Sequence, residues 1–406
     1  MKRWAARLAM VAASAFLLLA CLELALRWSS SSAHAQVIER IDPMLGPVKA
    51  SGKNLVYRKR DAYNVYDTNS EGFYDRERAK TKAPGAFRIA VIGDSFIDAV
   101  QVPFKSTLTQ RLEQSLDRPL HPVEVLNFGR GGTSLAEYRL LLEQWAFAYD
   151  PDLVLVCVYN ENDLDDLRPS AIPQANGRYV RPVYRWDGER LVLQDYEPPA
   201  VERSRSGTRR SALVQFFYER VWNHPALVSW LVRAGVMDGS QLYSRGVLVS
   251  ADGYPTLYNV YRVSPPDKAE WDYAFDLAER MLQEMAALCA ARGARFAVVS
   301  IPSQFEVHEP LRDDLFRAYP SMKQHEWDFE QVSNRLEQML EPRGIPYLRL
   351  DKPFRDRAKA DPTTPLYFKY NAHWNEAGNA AAAEFVERFL QEKRLLPLNQ
   401  EEAARL

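Results

Sequence analysis

The sequence has few cysteines and no excess of charge of either sign, and both shortages exclude whole classes of protein. Its three cysteines, among 406 residues, are too few for a disulfide framework. The 52 lysines and arginines nearly balance the 53 aspartates and glutamates, so no overall field attracts nucleic acid. We therefore expect no nucleic-acid partner. The composition, 47% hydrophobic, is that of a globular protein with a substantial core.

One long apolar run lies near the N-terminus. "LAMVAASAFLLLACLELAL" occupies residues 8–26, is interrupted only by Glu23 and follows three basic residues. Its length suits a membrane-spanning helix, and the positive charges would stay on the cytoplasmic side. We predict a signal anchor over residues 1–28 and a body outside the cytoplasm, periplasmic or at the cell surface. Cleavage after "AHA" at Ala35, lipidation at Cys21 and a buried amphipathic helix are the alternatives.

The rest of the chain alternates apolar strand-like runs with amphipathic helical patterns. Five runs have the character of buried parallel strands: "FRIAVIG", "VEVLNFG", "DLVLVCVYN", "RFAVVSIPS" and "IPYLRL". The alternation predicts an α/β fold, a flavodoxin-like doubly wound parallel sheet of about five strands over residues 87–398. Residues 29–86 are expected to be a tether and a lead-in to this domain.

Residues 165–266 break the alternation and are predicted to be an insertion of a hairpin followed by a helical part. The hairpin signal lies at Asp187-Gly188, and the helical part is rich in aromatic residues. The helical part could cover a site as a lid, lean on a membrane or simply cap the core.

Residues able to do chemistry follow three of the strands. "VIGDSF" leads a buried strand into Ser95, which is expected at the strand's carboxyl end, where sites of such sheets lie. "NFGRGGTS" offers backbone N–H groups, that of Gly131 among them, to a developing oxyanion. "YNENDL" brings the side-chain amide of Asn162 to the same rim. Each motif alone also serves as a turn or a helix cap.

Together with the histidine of "NAHWNEAGN", these motifs resemble the four sequence blocks of the SGNH (GDSL-type) hydrolase superfamily, in the family's order. The resemblance implies that Ser95 is the nucleophile, that Gly131 and Asn162 are oxyanion donors and that His373 is the general base. It also implies that neither a metal nor an organic cofactor is needed. The anchor, "NSEGFYDRE" and "HWNEAG" are similar to extracytoplasmic bacterial members related to polysaccharide acetylation proteins.

His373 lacks the aspartate that family members usually place two or three residues before the histidine. Asn371 and Tyr370 occupy those positions. Either can accept a hydrogen bond from the ring, but neither supplies the negative charge that stabilises an imidazolium. Asp351, after the fifth strand, or Asp98, after the nucleophile, could replace the missing carboxylate. A slow serine–histidine dyad and a site decayed into a binding pocket are the other two outcomes.

The sequence thus predicts a membrane-tethered, extracytoplasmic serine esterase or acyltransferase that acts on small O-acyl groups, acetyl on a glycan foremost. A non-catalytic glycan-binding protein or envelope assembly protein, with partners in the envelope, is the first alternative. A lipase-like esterase whose aromatic insertion contacts the bilayer is the second. His308, after the fourth strand, is a second candidate histidine for the rim.

Overall fold

The computed structural model describes residues 2–31, 39–42, 44–49, 51–58, 61–117, 122–172, 174–175, 178–197, 250 and 252–397. The strands are β1 Glu39–Asp42, β2 Gly46–Lys49, β3 Gly52–Arg58, β4 Tyr63–Thr68, β5 Phe87–Gly93, β6 Val123–Gly129, β7 Leu153–Tyr159, β8 Gln174–Ala175, β9 Arg178–Tyr179, β10 Tyr184–Trp186, β11 Leu191–Leu193, β12 Arg295–Ile301 and β13 Tyr347–Arg349. The α-helices are α1 Lys2–Ser31, α2 Ser95–Asp98, α3 Leu108–Leu116, α4 Leu135–Gln144, α5 Asn162–Asp165, α6 Lys268–Ala290, α7 Gln304–Val307, α8 Glu309–Ala318, α9 Gln331–Leu340, α10 Asp351–Ala360 and α11 Glu376–Glu392.

Five of these strands form one parallel sheet in the order β13-β12-β7-β5-β6. In chain order this is the 2-1-3-4-5 arrangement of flavodoxin-like folds, which confirms the predicted doubly wound sheet. The sequence runs quoted for the five strands match the observed strands, although the last is confined to three residues. β6 lies on one side of β5 and β7 lies on the other, so the direction in which strands are added to the sheet reverses at β5. At such a reversal a crevice opens between the carboxyl ends of the two neighbouring strands, here β5 and β7.

Helices cover both faces of the sheet, and successive strand residues point to opposite cores. On β5, Ala90 and Ile92 pack with α4, α6 and α9, whereas Ile89 and Val91 pack with α3, α10 and α11. All four side chains are fully buried, as expected of a central strand in a parallel sheet. The two apolar cores fix the sheet rigidly, so the strand ends that carry the candidate site residues are held in place.

The N-terminal run forms the long helix α1, Lys2–Ser31. Among the residues that the structure describes, no helix is both long and apolar enough to cross a membrane. The anchor over residues 1–28 therefore stays a prediction.

The insertion is described in part. β10 and β11 pair antiparallel on either side of residues 187–190, which confirms the predicted hairpin, and Gly188 in this loop has a positive φ of 108°. The predicted helical part, the aromatic segment at residues 212–235, lies outside the described residues, and so does any test of the lid or of bilayer contact.

Before the sheet, strands β3 and β4 form an antiparallel hairpin, here called the lead-in hairpin (residues 52–68). On β4 alternate residues are buried against the domain, as the sequence "YNVYDT" allows. The Asn64 side-chain amide donates to Tyr74 Oη at 3.1 Å and to the carbonyls of Val100 and Val102 at 3.0 and 2.7 Å. The lead-in hairpin is thereby fastened to the loop that follows α2.

Candidate active site

Ser95 begins α2 immediately after β5, at the crevice between the ends of β5 and β7. Asp94 caps the helix by accepting from the Phe96 N–H at 2.9 Å. The turn before it is tight: a Cβ on Gly93 would lie 2.4 Å from Ile97 Cγ1 and 3.2 Å from the Cys157 carbonyl oxygen. The sharp strand-to-helix turn leaves the Ser95 side chain half-buried at the rim.

The structure brings Ser95 and His373 together, although 278 positions separate them in the chain. Ser95 Oγ lies 2.7 Å from His373 Nε2. The other ring nitrogen, Nδ1, lies 2.9 Å from Asn371 Oδ1 and 2.7 Å from the Asn371 carbonyl oxygen. Two acceptors around Nδ1 favour the tautomer with its proton there, which leaves Nε2 free to accept from the serine hydroxyl.

A strained turn holds the two Asn371 acceptors in place. Ala372 has a φ of +54°, in the left-handed region that non-glycine residues rarely adopt. The His373 N–H donates back to the Asn371 carbonyl at 2.7 Å, and the imidazole packs 4.9 Å from the ring of Phe96. Such strain persists only where surrounding contacts impose it, and it clusters at functional sites.

The lead-in hairpin supplies the next layer of contacts. The Asn371 Nδ2 amide donates to Tyr57 Oη at 2.9 Å, and the Tyr370 backbone N–H donates to Asp61 Oδ2 at 2.6 Å. The Tyr370 side chain itself is 51% exposed. Of the two residues predicted as possible partners of the ring, Asn371 therefore contacts it with side chain and backbone, while Tyr370 anchors the loop through its backbone.

The two aspartates considered as replacement carboxylates are paired elsewhere. Asp351 is fully buried and is held by Arg349, Nε and Nη2 each 2.9 Å from a carboxylate oxygen. It follows the edge strand β13, three strand spacings or about 14 Å from β5. Asp98, buried at the end of α2, forms an ion pair with Lys49. Both acceptors found at His373 Nδ1 belong to Asn371.

Gly131 borders Ser95 from the loop after β6. A Cβ on Gly131 would lie 3.6 Å from Ser95 Cβ and 3.6 Å from Asp98 Oδ2. The Arg130 N–H donates to the Gly93 carbonyl at 2.9 Å, which ties this loop to the turn before the serine. The backbone at Gly131 is therefore close enough to Ser95 to take part in an oxyanion pocket there.

Asn162 is the first residue of α5, after β7, the strand beside β5. Its half-buried side-chain amide donates to Asp163 Oδ1 at 3.3 Å, a long hydrogen bond. Because β7 lies beside β5, Asn162 follows the strand end next to the one that Ser95 follows, on the same edge of the sheet. His308, the second candidate histidine, lies between α7 and α8 with its ring 5.8 Å from that of Tyr367, and burial lowers the pKa of its imidazole.

Two buried carboxyl groups lie behind the serine. Burial raises the pKa of Asp94 to about 7, and its Oδ2 is 3.4 Å from Ser95 Oγ. Burial and the neighbouring Asp94 raise the pKa of Asp163 well above its usual value, while the Tyr138 hydroxyl and the Tyr159 N–H each donate to it at 2.8 Å. A raised pKa keeps each carboxyl group neutral more often than usual. This reduces the negative charge near Ser95, where carboxylates would repel the oxyanion of a tetrahedral intermediate.

Sequence reasoning missed the contribution of the lead-in hairpin. Tyr57 and Asp61 contact the histidine loop, and Lys49, just before the hairpin, pairs with Asp98. A tyrosine or aspartate about 310 positions from its partner leaves no local signal. The alternating pattern of β4 could have indicated a strand with one buried face, but not what that strand contacts.

Residues 268–406 match the family described as SGNH hydrolase-like domain, acetyltransferase AlgX, which confirms the resemblance to SGNH hydrolases. This range contains Asn371 and His373 and begins after Ser95, Gly131 and Asn162. No curated protein matches the chain.

Several solved structures resemble the chain at low identity. A catalytic mutant of Axe2, an acetylxylan esterase from Geobacillus stearothermophilus, is 12% identical over 77% of this chain and 96% of its own, with a TM-score of 0.37. The acetyl xylan esterase AlAXEase is 12% identical over 74% and 98%, with a TM-score of 0.37. LAE5, an α/β hydrolase enzyme from the metagenome of Lake Arreo, Spain, is 12% identical over 79% and 99%, also with a TM-score of 0.37.

Proposed function

We propose, from the resemblance to the SGNH hydrolase superfamily, that this chain is a serine esterase or O-acyltransferase that works through an acyl-enzyme at Ser95. The family supports hydrolysis or transfer of an acyl group in general. The observation that carries the specific proposal is the 2.7 Å contact between Ser95 Oγ and His373 Nε2, with the opposite ring nitrogen held by Asn371. This is the geometry required of an activated nucleophile and its base.

In the proposed reaction His373 Nε2 takes the hydroxyl proton as Ser95 Oγ bonds to the carbonyl carbon of an ester. The carbonyl electrons move to oxygen, and the Gly131 N–H and the Asn162 amide donate to that oxyanion. The bond to the alcohol then breaks, and His373 returns its proton to the leaving oxygen. A water or a second alcohol then attacks the acyl carbon while its proton passes to His373. The bond between the acyl carbon and Ser95 Oγ breaks, and His373 returns that proton to Ser95 Oγ.

The substrate we propose is a small O-acyl group, acetyl foremost, on a glycan or a similar alcohol. The description of the matched family, an acetyltransferase domain, supports acetyl. Hydrolysis and transfer share the same acyl-enzyme and differ only in the acceptor. Acetate released in water alone, compared with acetyl moved to an added oligosaccharide, separates the two activities.

We further propose that α1 tethers the domain to a membrane, with the domain outside the cytoplasm. The three basic residues before the apolar run at residues 8–26 support this orientation. The full chain should then sediment with membranes and resist extraction by carbonate. Recovery of the full chain in the soluble fraction would contradict the proposed membrane tether and would leave the esterase proposal unaffected.

The catalytic proposal is tested with the full chain and Ser95→Ala. Acetate release from an activated acetyl ester should fall by at least about 10³-fold, because the covalent route is lost. Ser70→Ala, an exposed serine hydrogen-bonded to Glu77, is the matched control and should keep full activity. A fluorophosphonate should label the wild-type protein at Ser95 and leave Ser95→Ala unlabelled.

Equal acetate release by the wild type and Ser95→Ala would contradict the proposal. A wild type that is folded, hydrolyses no ester and takes up no fluorophosphonate would instead favour the non-catalytic binding protein. That alternative is motivated by the absence of an aspartate at position 371.

A further inference from the structure

We infer that Tyr57, on the lead-in hairpin, is a positioning residue: it accepts from Asn371 Nδ2 and so turns Asn371 Oδ1 towards His373 Nδ1. The inference rests on the proposed function, because it concerns how His373 is kept competent as a base. It goes beyond that function in assigning a role to a segment outside the four sequence blocks.

The need for such a residue follows from the chemistry of asparagine. An aspartate presents an acceptor whichever way it is turned, whereas a carboxamide has one accepting end and one donating end. With the amide reversed, Nδ2 would face Nδ1, the Asn371 carbonyl would be the one Asn371 acceptor left there, and the preference over the tautomer that carries its proton on Nε2 would weaken. That tautomer cannot take a proton from Ser95 Oγ. The orientation of the Asn371 amide therefore bears on whether His373 can act as a base.

Tyr57 is placed to favour the productive orientation. Its hydroxyl oxygen lies 2.9 Å from Asn371 Nδ2, while Asn371 Oδ1 lies 2.9 Å from His373 Nδ1. Burial raises the pKa of the Tyr57 phenol, the hydrogen bond from Asn371 lowers it, and Asp61 and Asp98 add smaller upward shifts; because the pKa is raised overall, the hydroxyl keeps its proton. A phenol oxygen that keeps its proton still has lone pairs, and one of them can accept from the Asn371 amide.

The lead-in hairpin holds Tyr57 at a fixed place relative to both halves of the site. Across the hairpin Tyr57 pairs with Asn64, whose amide is bound to the carbonyls of Val100 and Val102 beyond the serine helix. At the tip of the same hairpin Asp61 accepts from the Tyr370 N–H. The hairpin thus bridges the segment that carries Ser95 and the loop that carries His373.

The test is a double-mutant cycle on the full chain with Tyr57→Phe and Asn371→Asp, read out as the rate of fluorophosphonate labelling at Ser95 across pH. Tyr57→Phe alone should slow labelling about 3- to 10-fold, the equivalent of one ordinary hydrogen bond. In the Asn371→Asp background the same substitution should change the rate less than about twofold, because a carboxylate needs no orienting. Tyr63→Phe, exposed on the same hairpin, is the control and should have no effect.

An unchanged rate in Tyr57→Phe would overturn the inference, and so would an equal loss in both backgrounds, which is the result of a merely structural role. Nitrogen-15 spectra of the imidazole give a second readout that does not need activity. The wild type should show the proton of neutral His373 on Nδ1, and Tyr57→Phe should show a mixture of tautomers. An unmixed tautomer in Tyr57→Phe overturns the inference even if Ser95 is never labelled, whereas absence of labelling in the wild type counts against the proposed function alone.

Discussion

An aspartate beside a catalytic histidine usually does two things: it sets the orientation and tautomer of the ring, and it stabilises the imidazolium with its negative charge. Asn371 can do only the first. It sets the ring orientation and the tautomer, through contacts of 2.9 and 2.7 Å to Nδ1. In the proposed reaction it supplies no negative charge for the imidazolium that would form as Ser95 loses its proton. In a serine protease, replacing the aspartate by asparagine lowers turnover by about 10⁴-fold, partly because the wrong tautomer forms. Here that part of the loss is avoided.

The residue-scale prediction is that Asn371→Asp raises the rate of ester hydrolysis by about 10- to 100-fold, or roughly 1.4 to 2.8 kcal/mol of barrier. The gain should be smaller than the 10⁴-fold of the protease because the tautomer is already set. A carboxylate beside the ring favours its charged form, so the rising limb of the profile of kcat/KM against pH should move to higher pH. Steady-state kinetics from pH 5 to 9 would measure both effects. A slower Asn371→Asp variant that keeps the wild-type fold would contradict this account.

At the scale of elements, the lead-in hairpin (residues 52–68) acts as a clamp across the site. Its buried face rests on the loop after the serine helix, and its tip contacts the histidine loop. The helix α2 and the turn at Ala372 are both short, and they also contact each other through Phe96, whose ring lies 4.9 Å from that of His373. Packing against the hairpin adds contacts to both segments, and such contacts would give the proposed catalytic pair the rigidity it needs.

The element-scale prediction concerns Asn64, which touches neither Ser95 nor His373 in the contacts described above. Asn64→Ala leaves the buried carbonyls of Val100 and Val102 without this donor and should lower the free energy of unfolding by about 1–3 kcal/mol. Labelling of Ser95 by a fluorophosphonate should slow at temperatures where the variant is still folded. Urea unfolding measures the first effect and labelling the second. Lys53→Ala, an exposed position on the same hairpin, is the control and should change neither the free energy of unfolding nor the labelling rate. An Asn64→Ala variant that is destabilised but is labelled at the wild-type rate would contradict this role of the hairpin.

At the scale of the whole molecule, the sheet was the most predictable part. Runs such as "FRIAVIG" are apolar on both faces, and the alternation with helices leaves few ways to connect the strands. The topology then brings the ends of β5, β6 and β7 together, which explains why Ser95, Gly131 and Asn162 could be grouped from the sequence.

What the sequence did not predict are contacts between distant polar side chains. The hydrogen bond between Asn371 and Tyr57 joins residues 314 positions apart, and the pairing of Asp98 with Lys49 joins residues 49 positions apart; both depend on how the lead-in folds back. Single hydrogen bonds of this kind follow no periodic pattern. They become visible only when the tertiary structure is known.

The most direct test of the central claim is to trap the acyl-enzyme. The full chain is mixed with an activated acetyl ester, quenched with acid within the first turnover and digested, and the peptides are analysed by mass spectrometry. We predict one acetyl group on the peptide that contains Ser95, and none on that peptide in His373→Ala. Continued ester turnover with no acetyl on Ser95, or with acetyl on another residue at full occupancy, would contradict the account.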